Sequence, residues 1–86
     1  MPQISRFFGI VIYMFFDDHN PAHFHAKYSE FSAAISISNF EILEGYLPPR
    51  ALSLVLEWAK IHRNELNEDW NLVSNRLQPH SIRPLE

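Results

Sequence analysis

The sequence contains no cysteine, which excludes both a disulfide framework and a thiolate zinc site. Charged residues make up only 20% of the chain and hydrophobic residues 47%, a composition typical of a globular domain rather than a disordered one. The longest apolar run, Phe7 to Phe16, is about ten residues, whereas a membrane-spanning helix needs roughly 20. The apolar run also lacks a basic leader and a small-residue cleavage site, so we expect no signal peptide. We therefore expect a cytoplasmic protein that does not enter a membrane.

Basic residues are scarce as well, with 7 lysines and arginines against 10 acidic residues and a formal net charge of −3. This balance does not favour binding to DNA, although RNA remains a possible partner at a locally basic cleft. The 86 residues predict one small domain over 1–86, near the lower end of what folds alone. A second copy or another protein would add to the stability of so small a core.

The first half of the chain predicts a mainly antiparallel sheet of three to four strands, between about residues 4 and 46. Ile4 to Phe16 has apolar residues on both alternating faces from Phe7 onward, which is typical of a central strand covered on both sides. Gly9 within it indicates a bulge or a close backbone approach. Residues 17–21 predict a turn, because Asp, Asn and Pro each favour one.

Two alternating runs, His23–Tyr28 and 31–38, predict a hairpin that turns at Ser29-Glu30. Successive side chains of a strand point to opposite faces, so we expect the apolar set to face the core. One face of the first run consists of Phe24, Ala26 and Tyr28. The other face consists of His23, His25 and Lys27. A fourth strand is predicted over residues 40–44, with Gly45 following it.

The second half of the chain predicts helices. Pro48-Pro49 favours a helix start, and helical spacing of apolar residues continues over about 49–66. A short second helix is predicted over 68–76, followed by a tail over 77–86. Leu54, Trp58 and Ile61 form a second apolar stripe on the long helix, which predicts contact with a loop or another chain. The expected fold is α+β, with the long helix packed on the sheet.

The segment Asp17–His25 holds three of the five histidines and two adjacent acids within nine residues. Imidazole titrates near neutral pH and also binds transition metals, so this segment is the candidate site. His23 and His25 lie two residues apart on a predicted strand, so their rings point the same way. With His19 and a carboxylate from the turn, they could hold a divalent metal ion with open positions for water.

Two other interpretations of the segment stay open. Without a metal, His23 and His25 could exchange protons while Lys27 stabilises phosphate charge, as cleavage of RNA at a 2′-hydroxyl requires. His19 and Asp18 would then orient them. Alternatively, the histidines form a solvated or interface surface beside a turn, with an aspartate capping backbone amides.

The chain resembles a bacterial family of small proteins catalogued as domain of unknown function 4160. The resemblance rests on residues 4–10, 14–25 and 50–59, and most of all on the run Asp18-His19-Asn20-Pro21-Ala22-His23-Phe24-His25. The family usually has a second proline where this chain has Ala22. Its members commonly lie beside another small protein, in an arrangement similar to toxin–antitoxin pairs. The resemblance therefore implies a component of a toxin–antitoxin-like pair. Such a component would form a homodimer or a complex with a neighbouring-gene protein. We interpret its possible activity as that of a His-dependent ribonuclease.

Overall fold

The computed structural model describes residues 2–86, which form five antiparallel strands followed by two helices. The strands pair in chain order, so the sheet is a simple meander. The α+β class is confirmed, but the prediction of three to four strands is wrong. The elements are β1 (Gln3–Phe7), β2 (Ile10–Tyr13), β3 (His23–Tyr28), β4 (Phe31–Ser36), β5 (Ile42–Gly45), α1 (Pro49–Ile61) and α2 (Arg63–Ser74).

The extra strand arises because the predicted strand Ile4–Phe16 folds back on itself. Phe7 pairs with Ile10, and the two residues between them form a tight turn. Phe8 has φ +49° and Gly9 has φ +79°, the left-handed conformation that such hairpin turns require. A phenylalanine rarely adopts this conformation, so the sequence carries no ordinary turn signal at this point.

The core lies between the helices and one face of the sheet. Phe24 and Ala26 are fully buried there, as predicted for β3, whereas Tyr28 of the same predicted face is 37% exposed. Trp58 of α1 is also fully buried and packs its ring against those of Phe7 and Phe24. Of the stripe predicted to contact a loop or another chain, Trp58 is therefore covered by the chain itself, whereas Ile61 is exposed.

The predicted long helix is in fact two short helices. His62 has φ −111° and ψ 25°, so the chain leaves the helical path between Ile61 and Arg63. The second helix therefore begins five residues earlier than the predicted 68–76. The bend lets α2 turn its own apolar residues, Leu66, Trp70 and Val73, into the core. Within residues 2–86, neither helix has the length and apolar character needed to cross a bilayer.

The C-terminal tail is fixed across the helices and the edge of β1. The His80 N–H donates to Asp69 Oδ1 at 2.8 Å, and the Ile82 N–H donates to the Ile4 carbonyl at 2.7 Å. Trp58 Nε1–H donates to the carbonyl of Arg83 at 2.9 Å. The predicted tail thus forms part of the fold, and Ile82 belongs to the core.

A comparison of two glycine variants tests the packing of β5. Gly45 ends this strand with φ +85°, and a Cβ there would lie 2.2 Å from the carbonyl oxygen of Ser32. Gly9 has a similar φ, but a Cβ there would meet only the Tyr28 side chain at 3.6 Å. We expect Gly9→Ala to lower the free energy of unfolding by about 1–2 kcal/mol through backbone strain. Gly45→Ala should cost about 1–3 kcal/mol more, because the clash is with backbone.

Urea unfolding of both variants and of the wild type measures this difference. Equal destabilisation by the two substitutions would contradict the tight β4–β5 contact at Gly45.

A second stability prediction concerns Asp69, which is buried and has no partner for its Oδ2 atom among residues 2–86. Burial raises the pKa of its carboxyl above the ordinary 3.8, against the lowering effect of the hydrogen bond from the His80 N–H. Between the ordinary pKa of the unfolded chain and the raised pKa of the folded protein, the folded state binds more protons than the unfolded chain. The Asp69 contribution to the free energy of unfolding therefore falls as pH rises through that range.

Asp69→Asn keeps an oxygen for the His80 N–H and removes the buried charge. We expect the free energy of unfolding of this variant to fall less steeply with rising pH than that of the wild type. The variant should also be more stable than the wild type at neutral pH. Denaturant unfolding at a series of pH values measures how the free energy of unfolding depends on pH, with Glu57→Gln at an exposed position of α1 as the control. The same dependence of the free energy of unfolding on pH in the wild type and both variants would contradict the prediction.

Candidate functional site

The candidate site lies where the segment joining β2 to β3 passes over the start of β3. His23 and His25 belong to β3 and lie on the same side of the sheet, because successive side chains of a strand alternate. Asp18 belongs to the joining segment. Its carboxylate oxygen Oδ2 lies 2.9 Å from Nε2 of His23 and 3.2 Å from Nε2 of His25. One carboxylate atom thus meets both imidazoles.

Hydrogen bonding fixes the orientation of the His23 ring. Its Nδ1 lies 2.8 Å from the carbonyl oxygen of Pro21, and a carbonyl oxygen only accepts. Nδ1 therefore carries a proton, and Nε2 is the atom that faces Asp18. In a neutral ring this Nε2 would direct its lone pair at a carboxylate oxygen, which is repulsive. A cation, either a proton or a metal ion, is needed between the two atoms.

Aromatic side chains hold both imidazoles in place. The ring of Trp70, from α2, lies 5.1 Å from that of His23. Tyr13 stacks on His25 with ring centroids 5.2 Å apart and 13° between the planes, and Phe15 meets the same ring edge-on at 4.7 Å. The stacking follows from the register of the sheet, in which Tyr13 and His25 are directly opposite.

The Asp18 carboxylate is negatively charged near neutral pH. Burial raises its pKa, but the hydrogen bonds from His25 and from the His19 backbone N–H lower it, as do the charge and hydrogen bond of His23. The net effect holds the pKa of Asp18 below its ordinary value. A charged carboxylate favours a cation at this point and disfavours an anion.

The structure brings together three of the five predicted site residues. Asp18, His23 and His25 each offer one ligand atom, and these atoms all lie within 4.8 Å of one another. The His19 side chain is exposed, and only its backbone N–H reaches Asp18, at 3.0 Å from Oδ1. Lys27 is exposed and makes no ion pair with any residue in the described part of the chain. Asp18 supplies the carboxylate that the sequence analysis expected from the turn, whereas the His19 side chain is not among the three converging ligands.

The site opens into a cavity of about 210 Å³. Its walls come from the joining segment on one side and from the last two strands on the other. Ala34 of β4, with Leu43 and Glu44 of β5, forms the second wall. Sequence reasoning missed this wall, as it missed Tyr13 and Trp70, because all of them reach the site through strand pairing or helix packing.

The comparisons with known proteins confirm the family resemblance noted from the sequence. Residues 9–71 match the family described as "Domain of unknown function (DUF4160)". The chain belongs to the DUF4160 family. This match covers most of the chain and includes all three converging residues of the site. The comparisons with curated proteins and with solved structures found no match.

The tautomer of His23 provides a direct test of the site geometry. Because its Nδ1–H is bonded to Pro21 and its side chain is only 9% exposed, this proton should exchange slowly with water. Nitrogen-15 NMR of the metal-free protein should show a protonated Nδ1 for His23 and no slowly exchanging ring proton for the exposed His19. A neutral His23 ring protonated only at Nε2 would contradict the arrangement.

Proposed function

We propose that this DUF4160 protein is a small metal-binding module in which Asp18, His23 and His25 hold a divalent transition-metal ion. The observation that carries the proposal is the convergence of one carboxylate oxygen and two Nε2 atoms at separations of 2.9 and 3.2 Å. Two histidines and one carboxylate form a donor set that suits zinc, iron, nickel or manganese.

The distances and the surroundings support the proposal. In a tetrahedral site with metal–ligand bonds of about 2.0–2.1 Å, ligand atoms are about 3.3 Å apart, close to both Asp18–histidine separations. The bond from His23 Nδ1–H to the Pro21 carbonyl is the supporting contact that metal-binding histidines usually make with their second nitrogen. The rings of Tyr13 and Trp70 restrict the rotation of both histidines. The ligands are thus oriented before any ion binds.

Three protein ligands leave open coordination positions on a bound ion, which face the cavity beside β5. Water or another small ligand can occupy such positions. Glu44 contributes an exposed carboxylate to the same cavity and increases its preference for cations.

This geometry gives weaker support to the alternative interpretation, a ribonuclease that works without a metal ion. Both ring nitrogens of His23 are engaged, so neither is available for proton transfer to a substrate. The Asp18 carboxylate occupies the position where a phosphate would have to approach the histidines, and like charges repel. Lys27 has no partner that would aim it at a bound phosphate. The ribonuclease activity, the toxin–antitoxin-like role and the cytoplasmic location stay predictions.

Binding to another protein is a second candidate function. It is favoured by exposed apolar residues near β5, where Leu43 is 44% and Tyr46 56% exposed. A homodimer and a complex with a neighbouring-gene protein both stay proposals. A partner on β5 would lie next to the metal site, because Leu43 lines the same cavity as Asp18.

Metal titration with a matched pair of histidine variants tests the metal proposal. We expect purified wild-type protein and His19→Ala to bind about one zinc ion per chain, because three protein ligands define one site. His25→Ala should bind zinc more than about 100-fold more weakly. This loss exceeds the one usually seen when a group that hydrogen-bonds to a metal ligand is removed. Calorimetry measures both quantities.

Thermal unfolding gives an independent readout of the same site. Zinc at about 100 times the wild-type Kd should stabilise the wild type by about 2.7 kcal/mol and His25→Ala by less than about 0.4 kcal/mol. Equal zinc binding by the wild type and His25→Ala, or loss of binding only in His19→Ala, would refute the assigned ligand set.

A further inference from the structure

The two edges of the sheet differ. The edge at β1 is covered by the chain's own tail, because the Ile82 N–H donates to the Ile4 carbonyl at 2.7 Å. The other edge is β5, whose four residues are all exposed. No further strand pairs with β5 in the described residues 2–86. An uncovered edge presents unpaired backbone N–H and C=O groups that a further strand can bind.

The hydrogen bonds to β4 show which backbone groups of this edge are open. The Tyr46 N–H donates to the Ser32 carbonyl, and the Glu41 carbonyl accepts from the Ser36 N–H, both at 2.9 Å. These two groups therefore point toward β4. Since the backbone groups of successive residues in an antiparallel strand point alternately to its two sides, the N–H and C=O of Ile42, next to Glu41, point outward.

The side chains at this edge are apolar and acidic. Ile42, Leu43 and Tyr46 are 40%, 44% and 56% exposed. Glu41 and Glu44 are exposed among them, and neither makes an ion pair in the part of the chain that the structure describes. Arg63 stacks on Phe40, next to Glu41 in the chain, with its guanidinium carbon 4.4 Å from the ring centroid. The edge therefore combines apolar contact area with uncompensated negative charge.

We propose that β5 binds an extended segment of another protein, in which Lys or Arg alternates with β-branched residues, by strand addition to the sheet. Backbone hydrogen bonds along β5 supply affinity, and the side chains supply selectivity. The basic residues of the segment pair with Glu41 and Glu44, while its β-branched residues lie on the opposite face of the sheet, beside the exposed Ile42.

Charge also argues against a second copy of this chain as the occupant. Self-pairing of β5 would place Glu41 and Glu44 of both copies in one short ribbon, whatever the register. Like charges on adjacent strands destabilise a sheet. This inference does not depend on metal binding, although a segment on β5 would lie beside the cavity that Leu43 and Glu44 share with Asp18.

The test uses the full chain and a fluorescent peptide of alternating lysine and valine as the probe. We expect saturable binding to the wild type and a loss of about tenfold or more in the double variant Glu41→Lys/Glu44→Lys, since two cross-strand charge pairs become repulsive. Both residues are exposed, so the variant should fold. Glu57→Lys changes an equally exposed acid on α1 and should bind the peptide as the wild type does.

A second peptide, methylated on alternate backbone nitrogens, tests whether the contact is strand pairing. It keeps the charges but loses the N–H groups that β5 would accept, so it should bind far more weakly. Equal binding of both peptides, or an equal loss in Glu57→Lys, would overturn the proposal in favour of unspecific charge attraction. No binding of the first peptide would overturn it as well. A wild-type dimer in sedimentation that Leu43→Lys dissociates would instead identify a second copy as the occupant.

Discussion

The carboxylate of Asp18 holds together the parts of the molecule that form the candidate site. It joins the segment between β2 and β3 to two histidines of β3 through a single oxygen atom. Because the Pro21 carbonyl fixes the proton of His23 on Nδ1, the facing Nε2 requires a cation between itself and Asp18. The proposed metal ion replaces a proton at that position. The preference of the site for cations and its weak suitability for phosphate both follow from this one contact.

Much of the fold could be predicted from residue patterns, and the errors have definite physical causes. The alternation in residues 23–28 correctly predicts a strand with Phe24 in the core. The turn at Phe8-Gly9 could not be predicted, since Phe8 adopts a left-handed conformation that only the completed hairpin stabilises. The break at His62 has no glycine or proline to mark it. It arises because α2 must turn Leu66 and Trp70 inward, and such packing overrides local helical periodicity.

The site could be predicted as a region but not as a ligand set. The spacing of His23 and His25 on a strand places both rings on one side, as the structure shows. The choice of Asp18 rather than His19 depends on the path of the joining segment, which residue types alone do not determine. Tyr13 reaches His25 through the register of β2 and β3, and Trp70 reaches His23 through the docking of α2. Long-range contacts of this kind leave no local signal in the sequence.

A crystal structure of the zinc-loaded protein, with anomalous data collected at the zinc edge, tests the metal site most directly. The expected result is an anomalous peak about 2.0–2.2 Å from Oδ2 of Asp18 and from Nε2 of both His23 and His25. The Nδ1–H of His23 should remain bonded to the Pro21 carbonyl. A peak bound elsewhere, for example between His62 and Glu65, or the absence of a peak at Asp18 would contradict the proposed metal site.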